Sequence, residues 1–181
     1  MLNISIMITL SRIILTPVVM YLLWHHQWSY GLAVFLVAAV TDLLDGFVAR
    51  WLQQRTYLGQ ILDPVADKCL LLGTMYMLLA VVAVSYVQQL AVVFLIFKEL
   101  ILLSVGGYLM NRYQFFIAPS FLSRMASLAE FVMITVVLGC LIWLGVIPAL
   151  WLTVMLVVSC ILSAALLVRY VRLIAQFFQE R

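Results

Sequence analysis

Charge is what this chain has least of. Only 9% of its 181 residues are charged, where a soluble domain carries about 25%. Hydrophobic residues make up 67%, against an ordinary share of roughly 45–50%. A water-soluble fold of this size cannot hide so much apolar surface, because most residues of a small protein still touch solvent. The solvent must be lipid, which excludes a soluble enzyme, a nucleic-acid-binding domain and a disordered chain. Cysteine is scarce as well. Cys69, Cys140 and Cys160 are scattered through apolar runs, with no C-x-x-C and no histidine partner. Packing accounts for them better than a disulfide framework or a metal site. The net charge of +3 is too small to imply a polyanionic partner.

Long apolar runs are what the chain has instead. A helix crossing about 30 Å of hydrocarbon needs roughly 20 apolar residues. Six stretches qualify: Ile4–Trp24, Trp28–Ala49, Ile61–Ser85, Val87–Met110, Phe121–Leu144 and Pro148–Tyr170. The expected fold class is all-α, an integral membrane protein built as a six-transmembrane-helix bundle. The joints are short and no low-complexity tract intervenes, so residues 1–181 are expected to form a single domain. Gly145 suits the turn before the last segment, and Pro148 the first turn within it. The first apolar run lacks the short core and A-x-A site of a cleavable signal, so it is expected to remain as a membrane anchor.

Basic residues give the orientation by where they are missing. The joints His25–Trp28, Ser85–Val87 and Leu144–Pro148 hold no Lys or Arg. Arg50 and Arg55 occupy the second joint, Arg112 the fourth, and Arg169, Arg172 and Arg181 the C-terminal end. Positive residues favour the cytoplasmic side, so both termini are expected there. Trp24, Trp28, Tyr30, Trp143 and Trp151 fit an aromatic belt on the opposite side. Arg169 and Arg172 suit anchoring to anionic lipid, and His25 and His26 suit an interface.

Of seven acidic residues, four fall between positions 42 and 67: Asp42, Asp45, Asp63 and Asp67. Spacings of three and four place each pair on one helix face, and the short joint between them makes the two helices antiparallel neighbours. An Asp at mid-span costs roughly 2.5–3.5 kcal/mol, so four uncompensated ones approach the order of 10 kcal/mol. Arg50 and Lys68 cannot neutralise four carboxylates, which weighs against a purely structural set of paired acids. Hard divalent cations prefer carboxylate oxygens, and phosphate chemistry commonly uses two of them as a clamp. Gly46, Ala49 and Gly59 leave room beside these faces, and Arg50 suits a phosphate by charge and fork geometry.

The run from Asp42 to Asp67 spells D-x-x-D-G-x-x-A-R-x8-G-x-x-x-D-x-x-x-D without a departure. It resembles the signature of the CDP-alcohol phosphatidyltransferases, integral membrane enzymes of phospholipid synthesis. The stretches Ala39–Phe47 and Leu62–Lys68, with Asn3, Thr9, Arg12 and Pro17 at the start, look most like the phosphatidylglycerophosphate synthase branch. The resemblance is strong through about residue 70. It implies six membrane helices, a homodimer, and a site facing the cytoplasm, in a bacterial inner membrane. Asp42, Asp45, Asp63 and Asp67 would ligate two divalent ions, Mg²⁺ or Mn²⁺, with Asp67 also the general base. Gly46, Ala49, Arg50 and Gly59 would line the CDP pocket. The implied reaction takes a phosphatidyl group from CDP-diacylglycerol to an acceptor hydroxyl and releases CMP.

The acceptor is less determined. Ser5, Thr9, Arg12 and Thr16 form one polar stripe on the first helix, which should face the bundle rather than lipid. Arg12 would then hold a substrate phosphate or pair with an acid such as Glu99 or Glu130. Lys98 and Glu99 lie at the middle of the fourth segment, where an ionisable pair is a functional candidate by default. Arg124, among Ser120, Ser123 and Ser127, opens the fifth. Thr9, Arg12, Lys98 and Arg124 are thus the expected acceptor-binding residues. Many phosphatidylglycerophosphate synthases read G-K-x-K-T at the fifth segment, and a further Arg late in the fourth. Here these positions are Ser123–Ser127 and Gly106-Gly107, fewer cations than glycerol 3-phosphate usually meets. Phosphatidylglycerol, the acceptor of CMP-forming cardiolipin synthases, is the alternative, and Pro119–Arg124 resembles that branch. A transporter or proton-conducting subunit is a more remote one, since ion relays extend across the membrane whereas these acids cluster at one end.

Overall fold

The computed structural model describes residues 4–51, 57–82, 84–113 and 120–179, with side chains for all of these except 4–9, 42–51, 57–64, 67, 110–111 and 178. Six α-helices succeed one another: α1 Ile4–Trp24, α2 Trp28–Trp51, α3 Tyr57–Val81, α4 Tyr86–Tyr113, α5 Phe121–Trp143 and α6 Ala149–Gln179. No strand occurs among the described residues.

Local chemistry sets the helix ends. α1 closes on His26, whose φ of 56° is left-handed. The Gln27 amide donates to the Leu22 carbonyl (2.9 Å) and the His26 amide to the Leu23 carbonyl (3.0 Å), the Schellman pattern that satisfies terminal carbonyls. With three residues between them, α1 and α2 form an antiparallel hairpin. Gly145 takes φ 66° in the turn before α6. The Pro148 carbonyl accepts from the Leu152 amide (3.2 Å), so Pro148 stands just ahead of α6 rather than within its first turn.

Two expected boundaries move. The third segment, expected over Ile61–Ser85, is helical over Tyr57–Val81. Ser85 instead begins α4: its Oγ accepts from the Gln88 amide (3.4 Å) and its own amide donates to Gln88 Oε1 (3.0 Å), a reciprocal capping box. The last segment, expected to end at Tyr170, continues to Gln179, because packing against α4 continues beyond the apolar stretch.

Contacts group the residues into two units, Met1–Ala83 with Leu138–Val146, and Val84–Val137 with Ile147–Arg181. In the first unit α1 packs on both α2 and α3. Val19, Leu23, Phe35, Ala38, Ala66, Leu70, Leu71 and Met75 are its buried side chains. Two glycines permit close approach. A Cβ at Gly31 would lie 2.8 Å from Leu23 Cδ2, and one at Gly73 would lie 3.0 Å from Met20 Sδ and 3.1 Å from Thr16 Cγ2.

In the second unit α4 packs against α6, and the two run parallel. At their N-terminal ends Gln88 Nε2 donates to Thr153 Oγ1 (3.0 Å) and to the Ala149 carbonyl (3.3 Å). Toward their C-terminal ends a Cβ at Gly106 would sit 3.0 Å from the Tyr170 hydroxyl. Tyr113 and Phe177 then meet edge-on, with ring centroids 5.9 Å apart. These aromatic contacts carry α6 past the end of its apolar run.

This is a membrane protein. Among the described residues, Tyr86–Leu109, Phe121–Trp143 and Ala149–Phe177 are long and apolar enough to cross a bilayer, and Leu10–Trp24, Trp28–Thr41 and Lys68–Val81 are shorter apolar stretches. Ile14, Val37, Phe97, Leu150 and Trp151 are exposed, a surface that suits hydrocarbon and not water.

Candidate active site

The acidic residues lie on continuous helices, Asp42 and Asp45 on α2 and Asp63 and Asp67 on α3. At about 100° per residue, positions three and four apart on a helix stand within about 60° of arc. The side chains of Asp42, Asp45, Gly46, Ala49, Arg50, Gly59, Asp63 and Asp67, and of Thr9, lie outside the described residues. Their register does not.

α1 serves as the common ruler because it touches both acidic helices. On the antiparallel α2, Gly31 stands against Leu23. Counting back at equal rise per residue brings Asp42 and Asp45 level with about Arg12 and Thr9. On α3, which returns parallel to α1, Gly73 stands against Thr16 and Met20. The same count brings Asp63 and Asp67 level with about Ile8 and Arg12. Both acidic pairs thus share the level of the polar stripe on α1. Aspartate carboxylates are hard oxygen donors, of the kind that suits Mg²⁺ or Mn²⁺. Among the described residues no group of three or more His, Cys, Asp or Glu is placed to hold a metal ion.

Arg12 belongs to that level and is buried, with 1% of its surface exposed. Thr16 is buried one turn further along and donates its hydroxyl to the Arg12 carbonyl (2.9 Å). A guanidinium in hydrocarbon costs several kcal/mol unless paired, which marks Arg12 as a functional candidate.

The second unit holds a separate polar centre. Lys98 on α4, Glu99 beside it, Glu130 on α5 and Ser163 on α6 are each exposed by no more than 1%. The Lys98 ammonium pairs with Glu99 and with Glu130, the latter at 2.5 Å. Ser163 Oγ donates to Glu130 Oε1 at 3.4 Å. Lys98 was expected to bind acceptor, and the structure places its charge between two carboxylates. The sequence had offered Glu130 only as a partner for Arg12. Its signal was simply an acid within an apolar run, with nothing local to name Lys98 as its neighbour.

Arg124 is exposed in the first turn of α5. Ser120 caps that helix, its Oγ accepting from the Ser123 amide (3.2 Å) and its carbonyl from the Arg124 amide (3.2 Å). The first turn carries no acid. A cation at a helix N-terminus is a combination that attracts anions.

Known proteins were compared with the chain. The family model for CDP-alcohol phosphatidyltransferase matches residues 2–158. The CDP-diacylglycerol–glycerol-3-phosphate 3-phosphatidyltransferase of Aquifex aeolicus is 34% identical over 127 residues, 70% of either chain. Its Pseudomonas fluorescens counterpart is 43% identical over 90 residues, 48% of this chain and 42% of that one. The human CMP-forming cardiolipin synthase is 50% identical over 66 residues, 36% of this chain and 22% of that protein. The chain therefore covers well under two thirds of the latter two relatives.

Proposed function

The chain belongs to the CDP-alcohol phosphatidyltransferase family, and from that premise we propose that it moves a phosphatidyl group from CDP-diacylglycerol to glycerol 3-phosphate, releasing CMP. The observation that carries this is the unbroken Asp42–Asp67 signature lying on two helices that share α1 as neighbour.

Each residue has a part that its chemistry explains. Gly46, Ala49 and Gly59 leave the helix surfaces low enough for a nucleotide to lie against backbone. Arg50 pairs with a phosphate of the CDP moiety through its planar fork. Asp42, Asp45, Asp63 and Asp67 are the residues to hold Mg²⁺ or Mn²⁺, and two such ions supply neutralisation of the diphosphate charge. Asp67 accepts the proton of the acceptor hydroxyl, whose oxygen attacks the phosphorus bearing the diacylglycerol while the bond to CMP breaks. Alignment and charge stabilisation supply most of the rate in such transfers. Acceptor recognition is assigned to Thr9 and Arg12 on α1 and to Arg124 on α5, with Lys98 acting through its ion pairs.

The same proposal gives the membrane placement. All six helices span the bilayer, since the shortest, at 21 residues, is about 32 Å long at 1.5 Å per residue. Both termini and the site face the cytoplasm, by the distribution of Arg and Lys. The membrane is the bacterial inner membrane, and the enzyme works as a homodimer.

A second acceptor, phosphatidylglycerol, is favoured by the 50% identity to human cardiolipin synthase over 66 residues. The deciding experiment incubates the purified protein with labelled CDP-diacylglycerol, Mg²⁺ or Mn²⁺ and each acceptor in turn, following CMP. Release with glycerol 3-phosphate is the expected result. Release with phosphatidylglycerol alone makes the chain a cardiolipin synthase. Silence with every acceptor, together with solute flux in vesicles that Asp67→Asn abolishes, makes it a transporter.

A further inference from the structure

α5 carries two cationic contacts of different kinds. In its first turn Arg124 is exposed; six residues further along, Glu130 is fully buried and committed to Lys98. The separation is about 9 Å along the helix axis. Between these points the helix is continuous.

Glu130 is held from two other helices of the same unit. Lys98 reaches it from α4 at 2.5 Å, and the Ser163 hydroxyl donates to it from α6 at 3.4 Å. Every member of this set is at most 1% exposed. In hydrocarbon no water competes for these groups, so slipping α5 along its axis would stretch charge contacts at a high cost. Apolar packing also resists such a slip, and the buried charge contacts add to it a penalty that only their partners relieve.

We propose that Glu130 is a positioning residue for acceptor recognition: by sharing Lys98 with Glu99 and accepting from Ser163, it fixes the axial setting of α5 and with it Arg124. This rests on the transferase activity and on the acceptor role of Arg124 proposed above. Lys98 then contributes to acceptor binding without touching the acceptor, its charge being spent on the two glutamates.

The test is steady-state kinetics of the full-length enzyme in lipid vesicles, with thermal unfolding run on each variant to count folded protein. Glu130→Ala should raise the KM for glycerol 3-phosphate on the order of 10- to 100-fold, the scale of a misplaced contact. The KM for CDP-diacylglycerol should stay within about twofold, a ground-state measure of the other substrate. Glu130→Gln, which keeps the shape and an accepting oxygen, should restore most of the acceptor KM. Arg124→Ala should raise the same KM, and adding Glu130→Ala to it should raise it little further, because two changes acting through one contact are not additive. Fully additive effects, or equal losses for both substrates in proportion to unfolded protein, overturn the proposal. A flat acceptor KM in Glu130→Ala, with Arg124→Ala impaired, overturns this proposal alone. A wild-type enzyme that releases no CMP with any acceptor overturns the transferase reading along with it.

Discussion

Removing the Lys98 ammonium isolates the energetics of the buried charges. Lys98→Met keeps most of the side chain's length and apolar stem while deleting its charge. Glu99 and Glu130 then remain in a site with at most 1% exposure and with one cation fewer. Taking one partner from a buried pair costs about 3–5 kcal/mol, mostly the penalty of the charge left behind. Total stabilities of about 5–15 kcal/mol make this a large fraction. For a chain of this size each kcal/mol moves Tm by about 2–4 °C, so a fall of roughly 6–20 °C follows from the same relation. The measurement is thermal unfolding of the purified protein in one detergent at fixed concentration. The companion variant Lys98→Met/Glu130→Gln removes a charge of each sign and should recover a good part of the loss, because a buried pair replaced on both sides is often close to neutral. A single variant that melts within about 2 °C of wild type, less than 1 kcal/mol on this scale, would refute the burial argument. So would a double variant whose loss is the sum of its parts.

Asp67→Asn should lower turnover by about 10²–10⁴-fold, the range for loss of a general base, while binding of a CDP-lipid remains measurable; near-normal turnover removes Asp67 from that role. Chelation with EDTA should abolish CMP release and added Mg²⁺ or Mn²⁺ should restore it; activity that persists through chelation refutes a carboxylate-held metal. Gly73→Val places branched carbon where a Cβ already meets Met20 Sδ at 3.0 Å, and overpacking of this kind costs about 1–3 kcal/mol. Gly107→Val, with nothing within 4 Å of the corresponding Cβ, is the control, and equal melting shifts for the two would refute the close packing of α1 on α3.

Helix number was legible because lipid simplifies the problem. A residue in hydrocarbon must have its backbone polar groups bonded within its own segment, so length and apolarity alone announce six helices. Helix ends were less legible, since they obey side-chain chemistry that hydropathy does not see. Ser85 is apolar enough in context to finish the third run, yet its hydroxyl and amide engage Gln88 and begin α4. Tyr170 is followed by Val171 and Arg172, which read as an exit from the membrane, yet Phe177 still has Tyr113 to pack against. The acidic pairs were legible for the opposite reason: i, i+3 and i, i+4 spacings are local, and a helix turns them into faces without reference to any other part of the chain. Lys98 and Glu130 stand 32 positions apart, and no periodicity relates them.

Buried polarity means more in such a protein than in a soluble one, because the exterior offers no water. Three of the buried polar side chains are nevertheless quiet. The hydroxyls of Thr16 and Thr74 donate to carbonyls four residues back, Arg12 and Leu70, at 2.9 and 2.8 Å, and so satisfy themselves within one turn of their own helix. Gln88 is spent on capping α4 and on bonding the start of α6. Once these are set aside, the buried ionisable groups among the described residues are Arg12, Lys98, Glu99 and Glu130. None of these four can be neutralised by its own backbone, so each is kept at a cost that packing does not return. Arg12 lies on α1, which packs against both helices that carry the acidic signature. The other three hold α5 against its neighbours, where a shift of one turn would carry Arg124 about 5.4 Å along the axis. Chemistry and alignment are thereby assigned to different buried charges, and a variant that weakens one should leave the signature of the other intact in the kinetics.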